Sequence, residues 1–284
     1  MKKTIFILGL IGLIAFTACK KTEEYDMTVK NKTLYENATM NEITAEDAWC
    51  VKVLYDTISY VDLEYSAFLE EYLQVTVEGT SLHIGLNKSF SLPGNTVMNA
   101  TVHTPEVHKI HFSEAVAAAI EGRFPETALT LELDGASTCR GGNFFGSADL
   151  KLSGASKCVE FSFEGTNCKV EVDEASALKG CLYVSGDLDM TVKGASHVIN
   201  YWGEINRANV TVTDASFLNM ATNWISHMHI DVKSASEATV NVTETLEGSV
   251  QEASKLYYSG NPTLNVECDA TSTLQQVEYP NPDL

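Results

Sequence analysis

Basic residues are scarce in this chain, and arginine is the scarcest of them. The sequence holds 38 Asp and Glu against 19 Lys and Arg, a formal net charge of −19. Its only arginines are Arg123, Arg140 and Arg207. Such a surface repels the phosphates of nucleic acids and anionic lipid headgroups. The balance excludes nucleic acid as a partner and is compatible with solubility, cationic partners or bound divalent cations.

The signatures of several other protein classes are also missing. No apolar run approaches the roughly 20 residues that span a bilayer, and helical periodicity is absent throughout the chain. The six cysteines that follow Cys19 match neither a CxxC motif nor the His/Cys spacing of zinc sites. We therefore predict no transmembrane helix, no metal site and no cofactor.

The N terminus has the layout of a secretory signal. Two lysines precede an apolar run over residues 5–16, and Phe16-Thr17-Ala18-Cys19 follows. A Cys directly after a small residue resembles a bacterial lipobox, which implies cleavage before Cys19 and acylation of that residue. Several acyl chains would anchor the protein firmly. The alternative is an ordinary signal peptide, over residues 1–18, whose following Cys is incidental.

The polar stretch that starts at Cys19 lacks periodicity, so residues 19–37 are predicted to be a flexible tether. Its charged start resembles that of surface-exposed lipoproteins of Gram-negative bacteria. The predicted location is therefore the outer membrane of an exported, lipid-anchored protein, facing either the periplasm or the cell surface. The membrane, reached through the N-terminal lipid, is the first predicted partner.

An Ala-Ser pair recurs in steps of 18 to 20 residues over the second half of the chain. Its alanines are Ala136, Ala155, Ala175, Ala195, Ala215, Ala235 and Ala253. A fixed period of about twenty residues indicates a solenoid. Apolar residues alternate by two on both sides of each pair, as in strands with one buried face. We predict units of two short strands and two corners, stacked in parallel at about 4.8 Å per rung.

Steric crowding at one corner explains why the pair repeats. Corner residues of successive rungs would lie on top of one another, so each Ala would meet its neighbours in a narrow bend, while the Ser hydroxyl bonds to backbone groups. A left-handed backbone is not expected before the Ala, because Glu174 would resist it. Seven copies without a His at fixed spacing do not make a catalytic nucleophile.

The same register sorts the remaining side chains into inward and outward columns. Cys139 and Cys158 share an inward column with their Cβ atoms pointing the same way, so two free thiols are predicted. A polysaccharide-lyase site would need clustered carboxylates for calcium and a Lys or Arg base. The outward columns alternate in sign and include neutral residues, and no catalytic residue is predicted.

Four outward residues are candidates for surface binding. His229 and Asp231 form the most suggestive polar group; a solvated surface contact is the simpler interpretation, and a metal or catalytic role the alternative. Trp202 and Trp224 could stack on sugar rings or form an assembly surface. Cover by the N-terminal segment is an equally good interpretation of both tryptophans.

Residues 38–112 do not follow the twenty-residue period but still alternate like strands. Here the chain resembles the auto-transporter adhesin family called the head GIN domain. The residues that carry the likeness are 41–86, TVHTPEVHKIHFSEAVAAAIEG, the Ala-Ser rungs, and SKLYYSGNPTLNVECDATSTL near the end. The resemblance implies an all-β, right-handed parallel β-helix of the pectin-lyase type, on lipoproteins of bacteroidete-type gut bacteria, and a role in adhesion.

The expected organisation is an N-terminal β-rich part over residues 38–112, about eight β-helix coils over 113–275, and a tail over 276–284. The favoured function is a lipid-anchored, non-catalytic binding or adhesion module with a host or glycan ligand. One alternative is a structural envelope protein that forms homo-oligomers through the unpaired strands at its open ends. The other is a glycan-active β-helix enzyme.

Overall fold

The computed structural model describes residues 25–89 and 91–278, which are almost entirely β-structure. The predicted signal peptide over 1–18, Cys19 and most of the predicted tail lie outside the described residues. Within them, 19 strands form one continuous hydrogen-bonded sheet, and Ala67–Leu69 makes a single 3₁₀ turn. None of the helical structure in this part of the chain has the length or apolar character needed to cross a bilayer.

The strands fall into an N-terminal group and a repeating group. The N-terminal strands are β1 Val29–Leu34, β2 Glu42–Ala45, β3 Cys50–Tyr55, β4 Tyr60–Ser66, β5 Leu73–Glu78, β6 Ser81–Leu86, β7 Met98–Thr104 and β8 Lys109–Phe112. The repeating strands are β9 Ala117–Leu133, β10 Thr138–Leu152, β11 Lys157–Val172, β12 Ala177–Val192, β13 His197–Trp202, β14 Glu204–Val212, β15 Phe217–Val232, β16 Glu237–Val250, β17 Lys255–Ser259, β18 Thr263–Cys268 and β19 Thr273–Gln276.

Parallel pairing winds the repeating strands into a solenoid of about eight coils, which confirms the predicted all-β architecture. Leu152 pairs with Val172 and Val172 with Val192, so equivalent residues of successive coils share one column. The predicted inward columns nearest the Ala-Ser pair are buried. In the interior, the rings of Phe124, Phe144 and Phe161 stack from coil to coil, with centroids 5.3 and 5.8 Å apart.

Neighbouring coils differ by single inserted residues. Between β11 and β12 the register shifts at Val159/Phe161 and again at Gly165/Asn167. An extra residue on one strand locally kinks it and increases its twist.

The Ala-Ser corner differs from its prediction in both backbone and burial. Glu174 and Ala175 have φ of 54° and 62°, and the equivalent residues of the other rungs are left-handed as well. The prediction that the residue before the Ala is not left-handed is therefore wrong. The buried residue of the pair is the Ser, at 0% exposure for Ser176, whereas the Ala side chains are exposed. Crowding between alanines is consequently not what selects them.

Two consecutive left-handed residues reverse the direction in which the backbone donates its hydrogen bonds. Before the corner, the Asp173 N–H donates back to the Leu152 carbonyl at 2.9 Å. At the corner, the Ala155 N–H donates forward to the Glu174 carbonyl at 2.9 Å. The ladder of hydrogen bonds thus continues through the bend. These hydrogen bonds offset the conformational free energy of the left-handed backbone, which is roughly 1–2 kcal/mol per residue. A short side chain such as Ala tolerates this conformation better than a β-branched one.

The serines of the pairs form a buried hydrogen-bonded column. The Ser156 N–H donates to the Ser176 hydroxyl oxygen at 3.1 Å, and the same contact recurs between each later pair of rungs up to Ser254 and Ser272. A small hydroxyl both fits the interior and satisfies a buried N–H. The Ala-Ser pair is a structural signature of the coil, as the sequence predicted.

The N-terminal strands continue the same stack, out of chain order. β2 pairs in parallel with β6 and β8, and β3 in parallel with β7 and β9. The antiparallel strands β1, β4 and β5 cover this end. Strand β1 falls inside the predicted tether, and that part of the prediction is wrong. Its side chains are nearly all exposed, so no apolar alternation reveals it.

Asp269 lies at the last corner of the solenoid, and its hydrogen bonds predict that the C-terminal end of the solenoid is sensitive to acid. Its carboxylate accepts the Glu252 N–H at 2.7 Å and the N–H and hydroxyl of Thr271 at 2.8 Å each. These hydrogen bonds, led by the one from Glu252, hold the pKa of Asp269 far below its ordinary 3.8. Because the folded pKa is depressed, the stabilisation is present above about pH 4 and is lost as the pH falls below it.

We expect amides of β18 and β19 to exchange hydrogen faster relative to the core at pH 3 than at pH 7, after correction for intrinsic exchange rates. Asp269→Asn should open this end at both pH values, because an amide cannot replace both carboxylate oxygens as acceptors. Glu267→Gln, on the exposed strand β18, is the matched control and should behave like the wild type. Equal protection of β18 at both pH values in the wild type would contradict the prediction.

Candidate functional site

An open groove of about 690 Å³ runs along the outside of the solenoid, across successive coils. Its most prominent side chains are three aromatic rings and three carboxylates, one for each of six successive coils. In chain order these are Glu126, Phe145, Glu164, Tyr183, Glu204 and Trp224. This set is called the groove column below. Acid and aromatic side chains alternate along it.

The alternating pleat of the strands places the groove column outside the core. Phe144 is buried at 1% exposure, whereas its neighbour Phe145 lies on the outer side. Phe145 is in register with Glu126 on one side and Glu164 on the other. Glu164 pairs with Tyr183, and Glu204 with Trp224. The six side chains therefore form a continuous file.

Glycines keep the chain close-packed beside this file. A Cβ added to Gly165 would lie 2.1 Å from the carbonyl oxygen of Gly146, which is closer than real atoms approach. Both glycines line the groove. The close approach of these two coils thus requires glycine at position 165.

The groove is acidic because its own carboxylates are left unpaired. No Lys or Arg is among its lining residues, and within the described chain no ion pair involves Glu126, Glu164 or Glu204. Two of the three arginines are engaged elsewhere. Arg140 binds Glu160, and Arg207 binds Asp187, each through two hydrogen bonds that lower the pKa of the carboxylate.

One cation already lies on an aromatic ring of the column. The guanidinium carbon of Arg123 is 4.1 Å from the ring centroid of Phe145, well inside the distance at which a cation is attracted to the face of a ring. This contact lies at the end of the column nearer the N terminus. It shows that an arginine side chain fits against the column.

The two candidate tryptophans are both exposed, at 53% for Trp202 and 59% for Trp224, so the N-terminal strands that the structure describes do not cover them. Trp224 lines the groove. Trp202 lies outside that lining, in register with Cys181 on the preceding coil. Trp202 precedes Glu204 by two positions on the outer side of the chain, and the role of both rings in binding stays a prediction.

His229 and Asp231 lie together on the outer face but away from the groove. The Nε2 atom of His229 is 3.6 Å from Oδ2 of Asp231, and the other oxygen of Asp231 accepts the Ser249 hydroxyl at 2.6 Å. His229 borders a separate hollow of about 380 Å³. The geometry is that of a surface contact between neighbouring side chains.

Most of the groove column was not predicted from the sequence. Glu126 precedes the first Ala-Ser pair, and the other five members lie eight or nine residues after the Ala of their pair, because the coils contain bulges there. A fixed period measured from the Ala therefore scatters them over two columns.

The cysteines and metal-ligating residues form no competing site. Cys139 and Cys158 are buried free thiols in register on adjacent coils, as predicted. A hydrogen bond with Cys139, together with burial, holds the pKa of Cys158 well above its usual value, and burial raises that of Cys168 to about 12. In the described part of the chain no three His, Cys, Asp or Glu side chains are grouped to hold a metal.

Solved structures with the same fold include three proteins from Parabacteroides species. A "putative adhesin" from Parabacteroides merdae has a TM-score of 0.66 at 11% identity, over 89% of this chain and 98% of that one. A "putative adhesin" from Parabacteroides distasonis has a TM-score of 0.65 at 15% identity, with the same coverage. A "putative lipid binding protein" from that species has a TM-score of 0.60 at 14% identity, also with that coverage. At these identities the likeness concerns the fold alone.

A comparison with curated proteins finds no match to this chain. The family model described as "Putative auto-transporter adhesin, head GIN domain" matches residues 39–262. That range includes β2 to β17 and every member of the groove column. The chain belongs to the head GIN domain family of auto-transporter adhesins.

Proposed function

We propose that this protein is an exported, lipid-anchored and non-catalytic module that binds a ligand outside the cell through the groove column. The observation that carries the proposal is an open, aromatic-lined groove that spans six coils of a continuous, hydrogen-bonded solenoid. Exposed aromatic side chains gathered on one surface are typical of binding sites. Membership of an adhesin family supports the same role.

The arrangement of the chain supports an anchor at Cys19. The proposed lipid would lie ten residues before Val29, where β1 begins, and β1 belongs to the antiparallel strands that cover the N-terminal end of the stack. The coils that form the groove follow farther along the axis. The proposed anchor lies in the outer membrane of a Gram-negative cell. The covered N-terminal end of the stack would lie nearest this membrane, and the groove would lie farther from it.

Adhesion of cells that produce the full-length protein tests this proposal. Wild-type cells should adhere to mucin-coated or epithelial surfaces, and Trp224→Ala should reduce that adhesion severalfold. Trp202→Ala is the matched control, since Trp202 is a comparably exposed tryptophan outside the groove lining. Cys19→Ser should prevent lipid attachment, remove the protein from the outer membrane and abolish adhesion. Wild-type cells that adhere no better than cells without the protein would overturn the proposal.

A second candidate function is self-association through the C-terminal end of the solenoid. β18 pairs only with β16 and β19 only with β17 within the described chain, so both are edge strands. Leu264 on β18 is 43% exposed. Unpaired edges of this kind favour pairing with another chain. Sedimentation of the full-length protein in detergent would show concentration-dependent dimers, and a monomer at high concentration would exclude this function.

A further inference from the structure

The spacing of the groove column favours a ligand with a regular repeat. Successive coils are about 4.8 Å apart, so residues of one type, which occupy every second coil, recur at about 9.6 Å. A polyproline II helix has three residues per turn and rises about 3.1 Å per residue, or about 9.3 Å per turn. Every third residue of such a helix would meet the same kind of side chain along the column.

The charge of the column favours a cationic ligand. Glu164 and Glu204 flank the ring of Tyr183, and none of the three side chains contacts a basic residue within the described chain. A cation placed between a carboxylate and an aromatic face is attracted by both. Arg123 above Phe145 already makes the ring half of this contact. The net charge of −19 would draw cationic chains toward the surface and repel acidic glycans.

Resting on the proposed function, we propose that the groove column binds an extended, proline-rich peptide segment in the polyproline II conformation with Arg or Lys at every third position. The cations lie between the glutamates and the rings of Tyr183 and Trp224. The prolines pack on the exposed edges of the aromatic side chains, as in other aromatic grooves that accept such helices. The binding site is thus assigned to peptide rather than to sugar.

Titration calorimetry with synthetic probes tests the assignment on the full-length protein in detergent. The probe is a peptide of four Pro-Pro-Arg repeats. It should bind at least about tenfold more tightly than a peptide of the same composition with its arginines consecutive, because only the repeat matches the column. Added salt should weaken binding. A Pro-Pro-Gln peptide should bind more weakly than the Pro-Pro-Arg peptide.

Matched variants locate the binding to the groove column. Trp224→Ala and Tyr183→Ala should each lower the affinity for the Pro-Pro-Arg peptide about tenfold. Trp202→Ala and Tyr201→Ala replace exposed rings outside the groove lining and should leave it unchanged. The isosteric Glu164→Gln should also weaken binding and reduce its salt dependence. Circular dichroism of each variant confirms that the fold is retained.

The outcomes separate this inference from the proposed function. Equal affinity for the repeat and the clustered peptide would overturn it, as would no peptide binding in a protein that still supports adhesion. Binding of a neutral β-linked oligosaccharide, lost in Trp224→Ala while the peptides do not bind, would assign the groove to glycans and overturn the peptide assignment. In either case the adhesion proposal would stand, and it fails only if adhesion itself is absent.

Discussion

Phe144→Ala should lower the free energy of unfolding by about 3–5 kcal/mol, the range for deleting a buried phenylalanine side chain. Phe144 is 1% exposed, and its ring lies between those of Phe124 and Phe161. Truncation would leave a cavity in the middle of this stack, and the coils on both sides are held in register by their own hydrogen bonds. They can therefore relax only partly into the space.

The adjacent phenylalanine is the natural control. Phe145→Ala removes the same side chain one position along the strand, but on the outer face, where it opens no cavity in the core. We expect its effect on unfolding to stay below about 1 kcal/mol, chiefly through loss of the Arg123 contact. Urea denaturation of both variants measures the difference. Similar losses for Phe144→Ala and Phe145→Ala would show that the interior is not packed as described.

The solenoid could be predicted from the sequence because every coil repeats the same pattern of apolar residues. Stacked coils must bury the same positions, so Leu152, Val172 and Val192 reveal the inward column without any knowledge of the three-dimensional path. The same argument placed the outward side chains of His229 and Asp231 together. Strands such as Leu73–Glu78 follow from local alternation alone.

What the sequence could not predict depends on backbone conformation and on pairing partners. The propensity of Glu174 argues against a left-handed corner, yet the ladder of hydrogen bonds between rungs imposes that conformation on it. Strand β1 is exposed, and only its partner β4 defines it. The local composition of β6, β2 and β8 does not indicate the order in which these strands pair. The groove column was missed for a related reason, since bulges shift it relative to the Ala-Ser pair.

Gly203→Ala should destabilise the protein by about 3 kcal/mol or more, at or beyond the upper end of the usual cost of overpacking. A Cβ at this position would lie 1.8 Å from the carbonyl oxygen of Leu182. That atom belongs to the backbone of the neighbouring coil, so no side-chain rotation can relieve the clash. The two coils would have to separate where β13 ends and β14 begins.

The same substitution should also disturb the groove. The carbonyl of Gly203 accepts the backbone N–H of Trp224 at 2.9 Å. The next residue in the chain is Glu204, a member of the groove column. Displacement of this backbone would move a ring and a carboxylate together, so peptide affinity and stability should fall in the same variant. Gly94→Ala is the control, because a Cβ there meets no atom within 4 Å and its φ is not left-handed. A Gly203→Ala protein that melts like Gly94→Ala would mean that the coils at Leu182 are not in close contact, and the continuous file of the groove column would be broken there.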